Sequence, residues 1–394
     1  MTDQLDNYLA EVEARFAASV DFTVGLEEEF QILDPATLAL TNRFEELRDD
    51  GAGLEGRIAG ELISSEIEIA TLRCESFAEA AAQLGCNRGA LLALAERQGV
   101  ALGATGTHPF SRWQDQRIIN TPHYLAVEDR LKYVAWRNNT WSGHVHVGVR
   151  GTDRAIAICD AMRGYLPHLL ALSANSPFIE SVWTQLHSAR VQTFLKMFPR
   201  CGIPDAFGKW AEHRRYYELL VRTGCIEEFT QIWWAVRPHH KWGTVEVRIC
   251  DVQTEPWQAL AVAALAVGLI ATLAASYDDG RPLPVLETRF IEENYWRAIR
   301  FGLDGKLVDF ARGVEVAAPD AVRALVESVG PAADRLGLRP HIDDVERLLR
   351  EGNGAQRQSK AHVEGKSIES VYAETVARVR ATAGGGAAPE KGVR

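Results

Sequence analysis

Four segments of the chain alternate apolar and polar residues with a period of two: Phe22–Leu33, Glu61–Ile69, Thr140–Val149 and Thr244–Ile249. Such alternation is typical of strands in a sheet that has one apolar and one polar face. Successive side chains of an extended strand point to opposite faces, so every second residue of each segment belongs to the same face. The pattern therefore predicts four strands, each with one side that carries charged or imidazole groups.

Helical stretches are predicted between and after these strands. Ser76 and Glu79 form a capping box that opens a helix through about residue 97. Asp153 is predicted to cap a second helix, which runs to about residue 173. Further helices are expected over 293–312, 320–337 and 367–380.

The stretch Trp257–Tyr277 is apolar enough to raise the question of a membrane span. Its alanine and glycine content, the early Gln258 and the lack of basic flanks favour a buried core helix instead. Pro256 would then fall in the first turn of that helix.

Strands and helices do not alternate as βαβ units, so the pattern favours an α+β fold with a large antiparallel sheet covered by helices on one face. We expect a single catalytic domain over residues 1–380 and a flexible tail over 381–394, which contains three consecutive glycines. Residues 181–210 are irregular and rich in aromatic residues, which is typical of a functional segment. Gly51–Gly56 matches the Gly-x-Gly-x-x-Gly string, but neither a strand nor a clear helix flanks it, and we interpret it as a flexible loop.

Composition narrows the function further. The 394-residue chain is 46% hydrophobic and 24% charged, as soluble globular proteins are. Its formal net charge of -10 and its scattered basic residues argue against nucleic acid as a partner. The six cysteines lie far apart, so we expect reduced thiols in a cytoplasmic protein. The first 20 residues contain acidic groups and no apolar run, so we expect no signal peptide, and we expect no membrane as a partner.

The polar faces of the four strands carry the candidate chemistry. They pair Glu27 with Glu29, Glu66 with Glu68, His144 with His146 and Glu246 with Arg248. One such pair alone is usually the solvated face of a sheet. Four together, without a matching run of lysines, fit a funnel lined with metal ligands better.

An oxygen-rich set of Glu27, Glu29, Glu68, His144 and Glu246 suits two or three Mg²⁺ or Mn²⁺ ions better than one Zn²⁺. Clustered Mg²⁺ commonly serves triphosphate chemistry, and the chain has no P-loop. Arg248, beside Glu246, is placed to contact a phosphate or a substrate carboxylate, and Arg190 is a second candidate. Two alternatives stay open: a metal-dependent hydrolase that uses the His-x-His pair, and a non-catalytic regulator that binds ATP and metal.

Four motifs resemble those of the bacterial type 2 glutamate–cysteine ligase family, a carboxylate-amine ligase group of the glutamine synthetase superfamily: Gly25–Phe30, Glu66–Glu68, His144–Gly148 and Gly243–Arg248. Supporting matches are Ser188–Arg190, Phe198–Pro199, Trp296–Asp304 and Gly352–Gln358, and the similarity spans roughly residues 20–380. The resemblance assigns no role to the segment Asn353–Gln358.

The resemblance implies a glutamine synthetase-like fold, with a large curved antiparallel sheet that forms a metal-lined funnel and helices on its outer face. It also implies ATP-dependent amide formation through an acyl phosphate, typically between the γ-carboxylate of glutamate and cysteine or another small amine. A homodimer is expected because family members are commonly dimeric.

The resemblance also implies a role for each site residue. Glu27, Glu29, Glu68, His144 and Glu246 would hold metal, with Glu61 as a candidate further ligand. Either His144 or His146 could be the imidazole ligand; the family pattern favours His144 and leaves His146 to contact the ATP. Arg248 would contact the ATP and stabilise the transferred phosphoryl group, and Arg190 would orient the substrate carboxylate.

Overall fold

The computed structural model of the protein describes residues 2–51, 54 and 56–382. The predicted tail lies outside the described residues from residue 383 onward, and the predicted loop Gly51–Gly56 is described only in part.

The strands are β1 Val24–Leu33, β2 Ile58–Ala59, β3 Glu66–Ala70, β4 Ala101–Gly103, β5 Gly143–Gly148, β6 Phe178–Ile179, β7 Val182–Trp183, β8 Cys201–Gly202, β9 Trp233–Trp234, β10 Val236–His239, β11 Thr244–Val247, β12 Lys306–Asp309 and β13 Val314–Ala317.

The helices are α1 Thr2–Ala18, α2 Phe44–Asp49, α3 Phe77–Arg97, α4 Pro122–Leu131, α5 Tyr133–Trp136, α6 Thr152–Met162, α7 Leu166–Ser173, α8 Ala189–Met197, α9 Trp210–Arg222, α10 Pro256–Asp278, α11 Thr288–Phe301, α12 Ala318–Ser328, α13 Gly330–Leu336, α14 Arg339–Glu351, α15 Gly354–Val363 and α16 Ile368–Ala381.

One large sheet contains all four predicted strands. Its order is β10-β11-β5-β1-β3-β2, with β4 paired to the far end of β1, and every pairing in it is antiparallel. The antiparallel α+β class is therefore confirmed. The strands are shorter than the alternating segments, since Glu61 lies in the loop before β3 and Arg248 follows the end of β11.

One face of this sheet is apolar and packs against helices. The valines of β5 and β11 that alternate with the polar residues are almost fully buried, and they join Val24 and Leu26 of β1 in the main hydrophobic core. Helices α6 and α10 contribute to the same core, while α3 packs on β1 and β3. Because these helices cover the apolar face, the polar residues of the same strands lie on the opposite face.

Glu28 lies on the helix-covered face, between the two glutamates of the polar face. Its carboxylate accepts a hydrogen bond of 2.9 Å from Arg88 Nη1 on α3, and both side chains are almost completely buried. Arg88 also donates to the backbone carbonyl groups of Gln253 and Thr254. This buried ion pair ties β1 to α3, and a buried charge is tolerated only with such partners.

Helix α10 is the predicted core helix, and Pro256 occupies its first turn as expected. The helix is long and apolar enough to cross a membrane by length and composition, but 72% of its most apolar window is buried inside the protein. Contacts with α6, α7, α13 and α14 surround it.

Several helix predictions need correction. Asp153 does not cap α6: Gly151 holds that position, and Asp153 accepts a hydrogen bond of 2.7 Å from the Trp210 amide. The helix predicted to reach residue 173 is interrupted by a 3₁₀ turn at Arg163–Tyr165, and Pro167 lies in the first turn of the helix that follows.

Other boundaries also differ from the prediction. The helix expected over 293–312 is α11, which ends at Phe301 and gives way to β12. The helix expected over 320–337 is divided into α12 and α13. The segment 181–210 contains α8, whose N-terminus is capped by Ser188. By contrast, α3 and α16 lie where they were predicted, and Ser76 accepts the expected hydrogen bond from the Glu79 amide.

Candidate active site

A cavity of about 430 Å³ lies over the polar face of the sheet. Every predicted site residue contributes to its wall: Glu27, Glu29, Glu61, Glu68, His144, His146, Arg190, Glu246 and Arg248. Residues from β1, β3, β5 and β11 meet here because the strands are adjacent and their polar positions face the same way. The structure therefore brings together side chains that are separated by up to 221 positions in the sequence, between Glu27 and Arg248.

The register of the antiparallel strands determines which site residues lie opposite each other. Glu27 lies opposite His144, Glu29 lies opposite Glu68, and Glu246 lies opposite His146. His144 Nδ1 is 2.8 Å from Glu27 Oε2, and His146 Nε2 is 3.2 Å from Glu27 Oε1. Glu27 thus has one imidazole at each carboxylate oxygen.

These two imidazoles govern the ionisation of Glu27. Burial acts to raise the pKa of this carboxyl, but His146 and His144 outweigh burial and hold the pKa well below its usual range. Burial lowers the pKa of His144, with Arg248 adding to the effect. For His146, burial is outweighed by Glu27 and Glu246, which raise the pKa.

Glu29 is held by Ser142, which precedes β5. Ser142 Oγ donates to Glu29 Oε2 at 2.8 Å and lies 2.8 Å from His144 Nε2, and the Ser142 amide donates to the same glutamate oxygen. This serine fixes the Glu29 carboxylate beside His144, and sequence reasoning did not identify it.

Glu246 lies between two arginines. Arg237 Nε donates to Glu246 Oε2 at 2.6 Å, and Arg248 Nη1 donates to Oε1. Burial acts to raise the pKa of Glu246, yet Arg237 and Arg248 lower it well below its usual value. Glu246 is therefore a stable carboxylate, with Oε1 3.8 Å from His146 Nε2.

Arg237 is the principal charged residue of this face that the sequence analysis missed. It lies on β10 opposite Glu246 and is 4% exposed, with Nη1 bonded to the Ile232 carbonyl. The signal was present, since Arg237 and His239 alternate with Val236 and Pro238 just before the turn that leads to Glu246. The proline made this segment look unlike a strand within a sheet.

Glu61, Glu66 and Glu68 form an acidic group at the other end of the cavity. Burial, with a smaller contribution from Glu29, raises the pKa of Glu61 to about 8. Burial also raises the pKa values of Glu66 and Glu68 well above the usual range, with repulsion from neighbouring glutamates in the same direction. Burial and mutual repulsion therefore disfavour the ionised form of these three carboxyl groups.

Several of these side chains have ligand atoms close enough together to share a cation. Three groups each have ligand atoms within 4.8 Å of one another: Glu27 with His146 and Glu246, Glu27 with Glu68 and His144, and Glu29 with Glu61 and Glu68. Both histidines belong to such a group, so the geometry leaves the choice between His144 and His146 open. Glu66 lines the cavity but belongs to none of the three.

Arg190 lies on α8 at the cavity wall and is 5% exposed. Its guanidinium donates to the carbonyl groups of Ile249 at 2.9 Å and Arg248 at 3.1 Å. Phe194 and Phe198 also line the cavity; Phe194 packs against Phe198, which packs against Trp233. The cavity therefore joins an acidic floor to a wall of arginine and aromatic side chains.

Comparison with known families agrees with this geometry. The family described as glutamate-cysteine ligase family 2 (GCS2) matches residues 23–374. A relative from Sorangium cellulosum, provisionally named glutamate–cysteine ligase 2, is 40% identical over 358 residues, which cover 90% of this chain and 95% of the relative. A similarly named relative from Rubrobacter xylanophilus is 41% identical over 362 residues, 91% of this chain and 98% of that protein.

Two solved structures share the fold. A glutamate–cysteine ligase from Francisella tularensis in complex with AMP superposes with a TM-score of 0.64 at 13% identity, covering 93% of this chain and 94% of that one. A bifunctional glutathione synthetase from Pasteurella multocida gives a TM-score of 0.66 at 14% identity, covering 96% of this chain and 55% of that one.

Proposed function

Because the chain belongs to the glutamate–cysteine ligase family 2, it is a ligase, and we propose that it uses ATP to join the γ-carboxylate of glutamate to cysteine or another small amine. The observation that carries the proposal is the convergence of carboxylate and imidazole groups from four strands on one cavity. We further propose that this cavity is the metal-lined funnel of the fold, and that residues 1–380 form the catalytic domain.

The donor set fits hard divalent cations. Carboxylate oxygens dominate the three groups of ligand atoms, as Mg²⁺ or Mn²⁺ requires, and sulfur ligands are absent from them. Glu27, Glu29, Glu61, Glu68, His144 and Glu246 would hold these ions. The buried acidic group around Glu61 supports this assignment, because burial and mutual repulsion disfavour its ionised form unless a cation compensates the charge. When bound, the ions would neutralise the charge of the triphosphate and of the transferred phosphoryl group.

Arg248 is the residue best placed to contact the transferred phosphoryl group. Its guanidinium is anchored through Nη1 to Glu246, and burial, which would lower its pKa, is outweighed by Glu246, so that the pKa is raised. It therefore remains a cation beside the proposed ligands. Arg237 holds the other oxygen of Glu246, so Arg248 is not the sole cation that balances this carboxylate. His146 would contact the ATP if His144 serves as the imidazole ligand.

Activation of the acid is needed because a carboxylate is a poor electrophile. Its oxygen would attack the γ-phosphate of ATP to give an acyl phosphate and ADP, and the amine would then expel phosphate. Arg190 would orient a carboxylate of the acid substrate through its guanidinium. Holding both reactants in one buried cavity supplies the proximity that the reaction requires.

The test is ADP release from Mg²⁺·ATP with glutamate and a panel of amines that includes cysteine, with mass detection of the product. ADP that forms only with glutamate and one amine would support the proposal and identify the amine. ATP binding without ADP release from any pair would contradict these substrates. ATP-independent hydrolysis supported by Zn²⁺ would instead favour the hydrolase alternative.

A further inference from the structure

A buried polar network leads from the wall of the cavity toward the C-terminal helices. Its centre is Asp251, which follows β11 and is fully buried. Asp251 Oδ1 accepts hydrogen bonds from Ser188 Oγ at 2.9 Å and Arg190 Nη1 at 3.4 Å. Asp251 Oδ2 accepts from Ser176 Oγ at 2.7 Å and from the Asn175 amide at 2.8 Å. Both oxygens of the carboxylate are thus fully engaged.

Asn175 continues the network to the segment Asn353–Gln358. Asn175 Oδ1 accepts a hydrogen bond of 2.8 Å from Gln358 Nε2 on α15, while Asn175 Nδ2 donates to the Val252 carbonyl. Asn353 caps α15 and donates to the Ala171 carbonyl at 2.9 Å. The conspicuous motif near the C-terminus therefore serves to dock α15 against the network that holds Arg190.

The hydrogen bonds of Arg190 determine which of its donors remain for a ligand. Nη1 uses its two N–H groups on Ile249 and Asp251, and Nη2 uses one on Arg248. Of the N–H groups on a guanidinium, this leaves Nε–H and one on Nη2, and Nε has no hydrogen-bond partner among the described residues. Nε and Nη2 lie on one edge of the guanidinium, called the fork below, and such an edge can bind a carboxylate through both oxygens.

We propose that Asp251 is a positioning residue for ligation, which fixes the Arg190 guanidinium so that its free fork faces the carboxylate of the acid substrate, with Gln358 and Asn175 supporting it from α15. This inference rests on the proposed function, because it assigns Arg190 to the acid substrate. An aspartate is suited to the role because it can hold Ser188 and Arg190 on one oxygen and the loop before them on the other.

Close packing supports a network of fixed geometry. A Cβ at Gly106 would lie 2.6 Å from the Asp251 carboxyl carbon, and a Cβ at Gly354 would lie 1.7 Å from Asn175 Oδ1. Contacts this short cannot be accommodated without displacement. Gly354→Ala therefore offers a way to disturb the network from the α15 side, without touching Arg190 or Asp251.

The test is a double-mutant cycle on Asp251→Asn and Arg190→Ala, read as kcat and as KM for the acid. We expect Asp251→Asn to raise KM at least about tenfold with a smaller change in kcat. The bound substrate and the transition state would lose the same contact with Arg190, and such a loss affects KM more than kcat. The double variant should match Arg190→Ala alone, since Asp251 acts through Arg190. Additive effects, or an unchanged KM, would overturn the proposal. Gln358→Met and Gly354→Ala should raise the same KM less, and they carry the test if Asp251→Asn does not fold.

Asp160→Asn is the matched control. Asp160 is also a buried aspartate, 3% exposed, but it accepts hydrogen bonds from the amides of Phe207 and Gly208 and does not line the cavity. Its loss should lower the melting temperature and leave KM for the acid within about twofold.

A second readout does not depend on turnover. The Arg190 Nε–H resonance, assigned by its loss in Arg190→Ala, should be sharp in the parent protein and broadened in Asp251→Asn. A signal that stays sharp would contradict the positioning role even if ADP formation had established the ligase. If the parent protein formed no ADP, the proposed function would fail, and this resonance alone would decide whether Asp251 positions Arg190.

Discussion

Glu29 and Glu68 lie directly opposite each other on adjacent antiparallel strands, and both carboxyl groups face the same cavity. Like charges in this position destabilise a strand pair. Glu61 lies close to both, since ligand atoms of the three carboxyl groups are within 4.8 Å of one another. The sheet is therefore built around a local charge imbalance that a divalent cation would relieve.

Divalent cations should stabilise the protein. At a concentration about 100 times the dissociation constant, Mg²⁺ or Mn²⁺ should increase the free energy of unfolding by about 2.7 kcal/mol per site, because only the folded sheet assembles the ligands. Thermal unfolding with and without each cation would measure this. Glu29→Gln should abolish most of the gain, whereas a gain of full size in this variant would remove Glu29 from the ligand set.

The stability of the metal-free protein should fall as pH rises. Burial, together with Glu29, raises the pKa of Glu61 from 4.5 to about 8, so the folded state binds a proton that the unfolded state releases. The stability that this proton contributes is present below pH 4.5 and is lost as pH rises through about 8. Chemical denaturation from pH 5 to pH 9 in chelator would follow the loss. Glu61→Gln should make the profile less steep, with Glu66 and Glu68 retaining their part of the pH dependence. Saturating Mg²⁺ should reverse the slope, because binding displaces the protons.

Catalytic turnover should require the carboxylates at both ends of the cavity, Glu29 and Glu246. Glu29→Gln and Glu246→Gln should each lower kcat about 100-fold or more while the fold persists, because each removes a charge proposed to hold metal. ADP release and circular dichroism would be measured on the same preparations. Glu315→Gln is the control, since Glu315 is an exposed strand glutamate paired with Arg297 and does not line the cavity. Parent-like rates in either cavity variant would remove that residue from the site.

Glu28 should matter for stability and not for catalysis. Glu28→Gln should lower the free energy of unfolding by about 3 kcal/mol, because it leaves Arg88 buried without its anionic partner. The exposed pair of Glu11 and Arg15 provides the comparison: Glu11→Gln should change the free energy by less than about 1 kcal/mol. Urea unfolding would separate the two. A Glu28→Gln protein with parent stability would show that the buried pair contributes nothing net.

The sequence predicted which strand residues share a face better than it predicted the helices. Polar residues on strands are easier to predict, because period-two alternation identifies both the strand and the face. Glu27, Glu29, His144 and Glu246 could be placed on one face of the sheet from the alternation alone. Arg237 was not predicted because Pro238 makes its segment look unlike a strand. Ser142 was not predicted because a serine beside a strand has no distinctive pattern.

Helix boundaries were harder to predict because they depend on contacts distant in sequence. Asp153 has the composition of a cap, but the Trp210 amide competes for its carboxylate, and a cap cannot be distinguished from such a contact by sequence alone. The helical pattern in the sequence continues across the division between α6 and α7. It also continues beyond Phe301, where α11 ends.

The period-two alternation of β1 has a consequence for how this enzyme can vary. Glu27 and Glu29 face the cavity while Glu28 faces Arg88, so insertion or deletion of one residue in β1 would exchange the two sets of carboxylates. Homologues should therefore tolerate changes of length in the loops around this strand, but not within it. The three consecutive carboxylates of β1 therefore have divided tasks: the middle one pairs with Arg88 inside the protein, and the outer two face the cavity.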